Sequence, residues 1–253
     1  MGIGDDIIAT GMARGALKRG ERIAFGDGKK IRWGPYSEMV FRNNPNIARP
    51  GEEHRSDVRW INYYKGNRIY NRSGGTQWLW NYEFKIRAGE FYFDANERQN
   101  QDSGLIIVEP NVPQKPCGPN KQWPLERWKA VADELTAEGF DVRQFEYGAP
   151  HRVAEGIPSP SFRQAAAWLQ SARLAILPEG GLHHAAAAVG APAIVLFGGF
   201  VPPKVLGYDE HINSTGNTKT ACGSFKRCQH CISAMESITV DQVLDAAEKI
   251  LCH

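Results

Sequence analysis

Short apolar segments alternate with helical segments through residues 104–197, and this alternation constrains the fold more than any other feature of the chain. Residues 104–108 (Gly-Leu-Ile-Ile-Val) are typical of a strand buried on both faces. A helix is predicted next, with Pro124 at its first position and Gly139 after its end. Its apolar residues recur with a helical period, at Leu125, Trp128, Val131, Ala132 and Leu135.

The same pattern continues towards the C-terminus. Strands are predicted at residues 140–145, 173–177 and 193–197, and helices at residues 162–170 and 182–189. A last helix begins at Thr239, which forms a capping box with Gln242. Alternating elements of this length predict an α/β fold, in which helices cover both faces of a parallel sheet and a ligand binds at the carboxyl ends of the strands.

A glycine turn at residues 178–184 (Pro-Glu-Gly-Gly-Leu-His-His) joins a predicted strand to a predicted helix. The unpaired N–H groups and the positive dipole end of such a helix favour a phosphate. An ordinary turn that needs glycine only for its backbone angles has the same composition.

Two other loops leave the same predicted edge of the sheet. One contains Lys121, whose ammonium group would converge with the helix N–H groups on a diphosphate. The other contains Gly198, where the absence of a side chain would let a ligand approach the backbone.

Composition indicates an ordinary globular protein, since 42% of its 253 residues are hydrophobic and 23% are charged. No apolar run approaches the roughly 20 residues of a membrane span, and the first residues do not form a signal peptide, so we expect a cytoplasmic protein. Five cysteines, an odd number, fit a reducing compartment. A polar stretch at residues 96–103 predicts a first lobe over residues 1–103 and a second over residues 104–253.

The first predicted lobe is the basic one, with 17 Lys and Arg against 13 Asp and Glu. Within it, cationic and aromatic residues are interleaved, which suits sugar faces, bases and phosphates. A small antiparallel sheet with aromatic side chains inward explains the pattern equally. The residues are Arg59, Lys65, Arg68, Arg72 and Lys85 with Trp60, Tyr63, Tyr64, Tyr70, Trp78, Trp80, Tyr82 and Phe84.

Three segments of the second lobe resemble glycosyltransferase family 9, the bacterial heptosyltransferases. Residues 121–124 (Lys-Gln-Trp-Pro) resemble the Lys-x-Trp-Pro segment of the family. Residues 179–184 are similar to its Asp-Ser/Thr-Gly-x-x-His, and Phe197-Gly198 to its Phe-Gly. The resemblance covers residues 104–251 and implies a GT-B fold of two Rossmann-like lobes, of which the N-terminal one is reduced here.

The resemblance also implies roles for individual residues. It assigns the nucleotide-sugar donor to the second lobe and the acceptor to the first. The donor-binding residues would be Lys121, Glu179, Gly180, Gly181, Leu182, His184 and Gly198. His183 has no counterpart in the motif, and we expect it to be a surface residue or a packing residue.

A fourth segment, residues 4–10, is similar to the family's Gly-Asp-x-x-x-x-Thr, in which the aspartate is the proposed base. Asp5 would therefore deprotonate the acceptor hydroxyl, and the reaction would invert the anomeric centre without a metal. Alternatively, Asp5 caps the helix that follows it.

The chain departs from the family in two respects. Only four residues precede Asp5, where the family has a full strand, so either the chain continues upstream or the lobe lacks this strand. Glu179 replaces an aspartate and has a longer side chain.

The sequence leaves the acceptor open. A cell-surface glycan or a lipid-linked precursor is what the family implies. A hydroxylated base in DNA is the alternative that the basic, aromatic first lobe favours. A non-catalytic nucleotide-sugar-binding protein is the alternative that the missing strand favours.

Cys222, Cys228 and Cys231 are close enough in sequence to share a structural zinc ion, with His230, Cys117 or Cys252 as a fourth ligand. Only the last two of the three thiols have a recognised pair spacing, so reduced, metal-free cysteines are the favoured interpretation. No metal is expected in catalysis, because Lys121 and the helix N-terminus would neutralise the leaving diphosphate.

Overall fold

A computed structural model describes residues 2–62, 68–72, 75–98, 104–146 and 150–252. Tyr63, Tyr64 and Lys65 of the aromatic stretch lie outside the described residues, as do residues 99–103 of the predicted boundary. In the described part of the chain, no helix is both long enough and apolar enough to span a membrane.

The N-terminal part holds two small two-stranded sheets beside one long helix. Strands β1 and β2 pair in parallel, whereas β3 and β4 form an antiparallel pair with Tyr70 opposite Trp80. The elements are α1 (Ile3–Ala13), β1 (Arg22–Phe25), α2 (Ser37–Phe41), β2 (Val58–Ile61), β3 (Tyr70–Arg72) and β4 (Trp78–Trp80).

The C-terminal part alternates strands and helices as predicted, and four further elements join them. The elements are β5 (Ile106–Val108), α3 (Leu125–Ala137), β6 (Val142–Phe145), β7 (Glu155–Ile157), α4 (Phe162–Ser171), β8 (Leu174–Pro178), α5 (Gly181–Val189), β9 (Ala193–Phe197), α6 (Pro203–Leu206), β10 (Ile212–Thr215), α7 (Gln229–Glu236) and α8 (Val240–Leu251). The predicted elements are confirmed, and β7, α6, β10 and α7 are the additions.

The six C-terminal strands form one parallel sheet in the order β7-β6-β5-β8-β9-β10. The chain therefore starts at the centre with β5, moves outward to β7, returns to the centre at β8 and moves outward in the other direction. This order reverses between β5 and β8. In doubly wound sheets, ligands bind in the crevice at that reversal.

The buried strands carry apolar side chains on both faces of this sheet, which explains why helices cover both faces. Ile106 and Val108 of β5 pack in one buried cluster with Trp128 of α3 and Val243 of α8. Ile107, between them, belongs to the cluster on the opposite face, which contains residues of α4 and α5. Successive side chains of a strand point to opposite faces, so a continuous apolar strand serves both layers.

Helix α1 packs directly against α5 of the large sheet, and its Ile7 and Ile8 are buried in the same cluster. Among the described residues, no strand precedes α1.

The β3–β4 hairpin also contacts the C-terminal part. Trp78 lies 4.7 Å from Phe225 and Trp80 lies 5.5 Å from Phe200, measured between ring centroids. The aromatic side chains of the hairpin thus pack inward, in agreement with the small-sheet interpretation.

Candidate functional site

A cleft of about 370 Å³ opens at the carboxyl ends of β5 and β8, where the strand order reverses. Its walls come from the loop after β5, the start of α5 and the start of α1. The residues that line it include Ile3, Glu109, Asn111, Glu179, Gly181 and Leu182. This location is the one that the sheet topology predicts for a ligand.

A nearly buried ion pair lies at this edge of the sheet. Lys121 Nζ is 2.8 Å from Glu179 Oε1, and the two side chains are only 16% and 2% exposed. The ammonium also lies 4.7 Å from the centroid of the Phe200 ring. Burial raises the pKa of Glu179, and the charge of Lys121 opposes this shift. The pair therefore fixes a cation beside the cleft.

Buried tryptophans explain why the Lys121 segment takes this position. The segment leaves a 3₁₀ turn at Gly118–Lys121, and Trp123, two residues later, is fully buried. Its indole N–H donates to the carbonyl of Ile238 at 3.0 Å, and its ring meets Trp128 edge to face. The tryptophan of the Lys-x-Trp-Pro motif thus anchors the segment that carries the lysine.

The turn before α5 has a conformation that requires glycine. Gly180 has φ 155° and ψ −156°, a region essentially restricted to glycine. The helix then begins at Gly181, so the N–H groups of Gly181 and Leu182 lack intrahelical acceptors. Both residues line the cleft. The start of α5 thus offers backbone donors and a positive dipole end to a ligand there.

His183 holds this turn together from inside the protein. Its Nδ1 accepts from the Gly180 N–H at 3.0 Å, and its Nε2 lies 2.8 Å from the carbonyl oxygen of Leu206, to which it donates. The side chain is fully buried, and burial lowers the pKa of His183 to about 3, so the ring is neutral. His183 is a packing residue, as expected.

His184 lies on the buried side of α5 and does not line the described cleft. Its Nδ1 is 2.9 Å from the hydroxyl of Tyr208. Burial lowers the pKa of His184 well below its usual value, and the neighbouring His183 adds to the shift. The structure therefore places a neutral imidazole at this position, one layer below the surface where a diphosphate would bind.

Asp5 lies in the first turn of α1, where it accepts a hydrogen bond from the Gly2 N–H at 2.7 Å. This hydrogen bond caps the helix from within its first turn, whereas the alternative stated from the sequence had the helix follow Asp5. The hydroxyl of Tyr70 lies 2.8 Å from both carboxylate oxygens and donates to this carboxylate. The side chain is 7% exposed.

The first turns of α1 and α5 are in close contact, which places Asp5 near the start of α5. A Cβ at Gly181 would lie 2.6 Å from Ile3 Cγ2, and one at Gly4 would lie 2.7 Å from His184 Cδ2. Both distances are shorter than any ordinary contact, so glycine at both positions permits this approach. Two helix N-termini therefore meet beside one cleft.

Gly198 borders the same edge, but the position of a side chain there is occupied. A Cβ would lie 2.5 Å from Met235 Sδ of α7. Glycine here allows α7 to approach the end of β9, and Gly198 itself is buried and does not line the cleft.

Sequence reasoning missed Glu109, which lines the cleft directly after β5. It is 4% exposed and accepts hydrogen bonds from the N–H and the side-chain amide of Asn111, at 2.9 and 2.6 Å. Burial raises the pKa of Glu109 to about 7. Its position in the sequence could have indicated this role, because Glu109 is an acidic residue at the carboxyl end of an apolar strand.

The family model for glycosyltransferase family 9 (heptosyltransferase) matches residues 76–234, more than half of the chain. The chain belongs to this family. The matched residues include Lys121, Glu179 and the start of α5, which form the cation and donor groups beside the cleft.

Two curated members of family 9 are similar over part of the chain. Lipopolysaccharide heptosyltransferase 1 of Escherichia coli K12 is 30% identical over 104 residues, 36% of this chain and 32% of that protein. The protein of the same name from Salmonella typhimurium LT2 is 29% identical over 117 residues, 42% of this chain and 34% of that protein. The matched regions thus span about a third of the length of these relatives.

Two solved structures share the fold. ADP-heptose lps heptosyltransferase II of E. coli superimposes with a TM-score of 0.50 at 18% identity, covering 69% of this chain and 54% of that one. TibC, described as an iron-containing dodecameric glycosyltransferase of enterotoxigenic E. coli H10407, gives 0.54 at 14% identity, covering 91% and 75%. The α/β class and the GT-B fold predicted from the sequence are confirmed.

Proposed function

We propose that this family 9 protein is an inverting glycosyltransferase, which moves a sugar from a nucleotide-diphosphate donor to an acceptor hydroxyl without a catalytic metal. The observation that carries the proposal is the Lys121–Glu179 ion pair beside the N-terminus of α5, at the reversal point of the sheet. The similarity of the chain to lipopolysaccharide heptosyltransferase 1 and to ADP-heptose lps heptosyltransferase II supports this class of donor and reaction.

In this proposal, the diphosphate binds between the start of α5, which lines the cleft, and Lys121, which contacts the cleft residue Glu179. The N–H groups of Gly181 and Leu182 donate to the phosphate oxygens, and the ammonium of Lys121 supplies the opposite charge. Glu179 positions that ammonium through the 2.8 Å contact. Gly180 provides the turn, Gly198 allows α7 to approach the end of β9, and His184 supports the helix from its buried side through its contact with Tyr208.

The chemical step is a direct displacement. The acceptor oxygen attacks the anomeric carbon while its proton passes to the carboxylate of Asp5. The bond between that carbon and the phosphate oxygen breaks, and the nucleoside diphosphate leaves with the electron pair. Lys121 and the helix N–H groups stabilise the negative charge that develops on it. Attack from the face opposite the leaving group inverts the configuration.

In this proposal, the boundary between the donor-binding lobe and the acceptor-binding lobe lies at residues 96–103. Residues 104–253 hold the donor, and residues 1–103 contribute Asp5 and the acceptor surface. We propose a cell-surface glycan or its lipid-linked precursor as the acceptor, and the cytoplasm as the location. The comparisons favour neither the DNA acceptor nor the non-catalytic alternative, and the hairpin aromatics that suggested DNA are engaged in packing.

A transfer assay tests the proposal. A panel of nucleotide sugars, ADP-heptose among them, is offered with glycan acceptors and with hydroxymethylated DNA, and wild type is compared with Asp5→Asn and with Lys121→Met/Glu179→Gln, which removes both buried charges. Transfer to one acceptor that both variants lose supports the proposal. Donor binding without transfer to any acceptor would instead indicate a non-catalytic protein, and transfer to DNA would correct the acceptor.

A further inference from the structure

A cluster of three thiols and one imidazole lies outside the cleft, on the loop between β10 and α7 and in the first turn of α7. The side-chain ligand atoms of Cys222, Cys228, His230 and Cys231 all lie within 4.8 Å of one another. All five cysteines of the chain are free thiols, so no disulfide accounts for the grouping. Cys117 and Cys252, the other fourth ligands considered from the sequence, are not in the cluster.

The ligand set and the separation between two of its sulfur atoms suit a tetrahedral metal ion. Two thiolates at the usual zinc–sulfur distance of about 2.3 Å, on the corners of a tetrahedron, are about 3.8 Å apart. Cys222 Sγ and Cys228 Sγ are separated by 3.8 Å, which matches this spacing, whereas Cys222 Sγ and Cys231 Sγ are closer together, at 2.9 Å. Three sulfur atoms and one nitrogen form a ligand set that is typical of zinc or iron.

The surroundings orient these ligands. Thr218 Oγ1 lies 2.9 Å from His230 Nε2, and a partner on one ring nitrogen fixes the ring when the other nitrogen binds a metal. A Cβ at Gly199 would lie 2.7 Å from the His230 ring, so glycine there makes room for it. Cys228 is the N-cap of α7, where the helix dipole favours a thiolate.

From this geometry we infer that Cys222, Cys228, Cys231 and His230 form a structural binding site for a divalent transition metal, with zinc as the fitting ion. The site closes the long loop that follows β10. It is separate from the catalytic step proposed above, which needs no metal.

Hydrogen bonds connect this site to the Lys121 segment. The buried Asn120 accepts from the Cys228 N–H at 2.7 Å and donates to the carbonyl of Lys226 at 2.8 Å. On the other side of the loop, the Cys222 and Gly223 N–H groups donate to the carbonyls of Gly199 and Phe200, at 2.8 and 3.0 Å. The metal would therefore hold in place both Lys121 and the Phe200 ring beneath its ammonium, a consequence that rests on the proposed function.

The metal content of the purified protein tests the inference. The wild type is compared with Cys228→Ser and His230→Ala, and with two matched controls outside the cluster, Cys117→Ser and Cys252→Ser. We expect about one equivalent of zinc or iron per chain in the wild type and in both controls, and its loss from Cys228→Ser. Reconstitution with Co²⁺ should give thiolate-to-cobalt absorption that Cys228→Ser lacks and that is weaker in His230→Ala.

Thermal unfolding gives a second readout. Chelation should lower the unfolding midpoint of the wild type and the controls by at least about 5 °C, and leave Cys228→Ser unchanged. A folded wild type that takes up neither Zn²⁺ nor Co²⁺, or a Cys222–Cys231 disulfide found by mass spectrometry, would overturn the inference. A wild type that holds the metal but binds no nucleotide sugar would refute the proposed function and leave the metal site standing.

Discussion

Lys121 Nζ and Glu179 Oε1 are 2.8 Å apart, although the two residues follow different strands of the sheet. Lys121 lies in the loop after β5 and Glu179 directly follows β8. Since β5 and β8 are neighbours in the sheet, their carboxyl ends bring the two side chains together. The contact therefore marks the point at which the strand order reverses.

Removal of Lys121 should destabilise the protein strongly. Lys121→Ala leaves the buried carboxylate of Glu179 without a partner, which costs about 3–5 kcal/mol in comparable buried pairs. The double variant Lys121→Met/Glu179→Gln removes both charges and should recover at least about 2 kcal/mol of that loss. Urea unfolding of the wild type and both variants measures these differences. Equal midpoints for the single and double variants would show that the pair is not coupled.

The buried carboxyl group of Glu109 should contribute less stability as the pH rises from about 4.5 to 7. Burial raises the pKa of Glu109 from 4.5 to about 7, so the folded state binds a proton that the unfolded state has released in this interval. The shift corresponds to roughly 3 kcal/mol for Glu109 alone. Asp6, whose pKa burial raises to about 6, acts in the same direction, whereas His183 and His184, whose pKa values burial lowers, make stability rise with pH.

Denaturant unfolding at several pH values checks this expectation. Glu109→Gln should remove this contribution, so that between pH 4.5 and 7 its stability should rise relative to that of the wild type by roughly 3 kcal/mol, while the contributions of Asp6, His183 and His184 remain. The exposed Glu83→Gln is the matched control and should keep the slope of the wild type. A slope that survives in Glu109→Gln at full size would contradict the assignment to Glu109.

An added methyl group at Gly181 should separate α1 from α5. The new Cβ would lie 2.6 Å from Ile3 Cγ2, so Gly181→Ala should cost about 1–3 kcal/mol as other overpacking substitutions do. Ile3→Ala removes the clashing atom, and the double variant should lose less than the sum of the two single variants. Gly34→Ala is the control, because its Cβ meets nothing closer than Ser37 Oγ at 3.8 Å. Additive losses in the double variant would argue against the close approach of the two helices.

Loss of the Tyr70 hydroxyl should loosen the position of Asp5. Tyr70→Phe removes a hydrogen bond to a carboxylate and should cost about 1.5–3 kcal/mol. It should also lower the rate of sugar transfer more than it weakens donor binding, because Asp5 does not hold the donor. Tyr82→Phe, at an exposed tyrosine, is the control. Unchanged stability and rate in Tyr70→Phe would show that the contact does not position Asp5.

The central alternation of the fold was predictable because strands covered on both faces are continuous apolar runs. Edge strands lack that signal. β7 consists of only three residues, Glu-Gly-Ile, and β10 consists of the mostly polar Ile-Asn-Ser-Thr. Neither strand forms an apolar run that would predict it. α7 was not predicted, because the Cys-x-x-Cys spacing at its start is typical of metal binding and does not indicate a helix.

The site was predictable to the extent that the topology dictates it. Lys121 and Glu179 both follow strands of one parallel sheet, so their proximity was expected from the sequence. The contact between Tyr70 and Asp5 joins residues 65 positions apart and depends on how the β3–β4 hairpin docks, which no local pattern encodes. The burial of His184 has the same origin, since Gly4 of α1 covers its ring.

The most direct test of the account is the affinity of the folded Lys121→Met/Glu179→Gln variant for a nucleotide-diphosphate sugar, measured by titration calorimetry against the wild type. ADP-heptose is the first ligand, and other nucleotide sugars follow if it does not bind the wild type. We expect the variant to bind about 10–100-fold more weakly, since it lacks a charge-assisted contact to the diphosphate worth about 1.5–3 kcal/mol. Equal affinities in the two proteins, or a wild type that binds no nucleotide sugar, would contradict the proposed donor site.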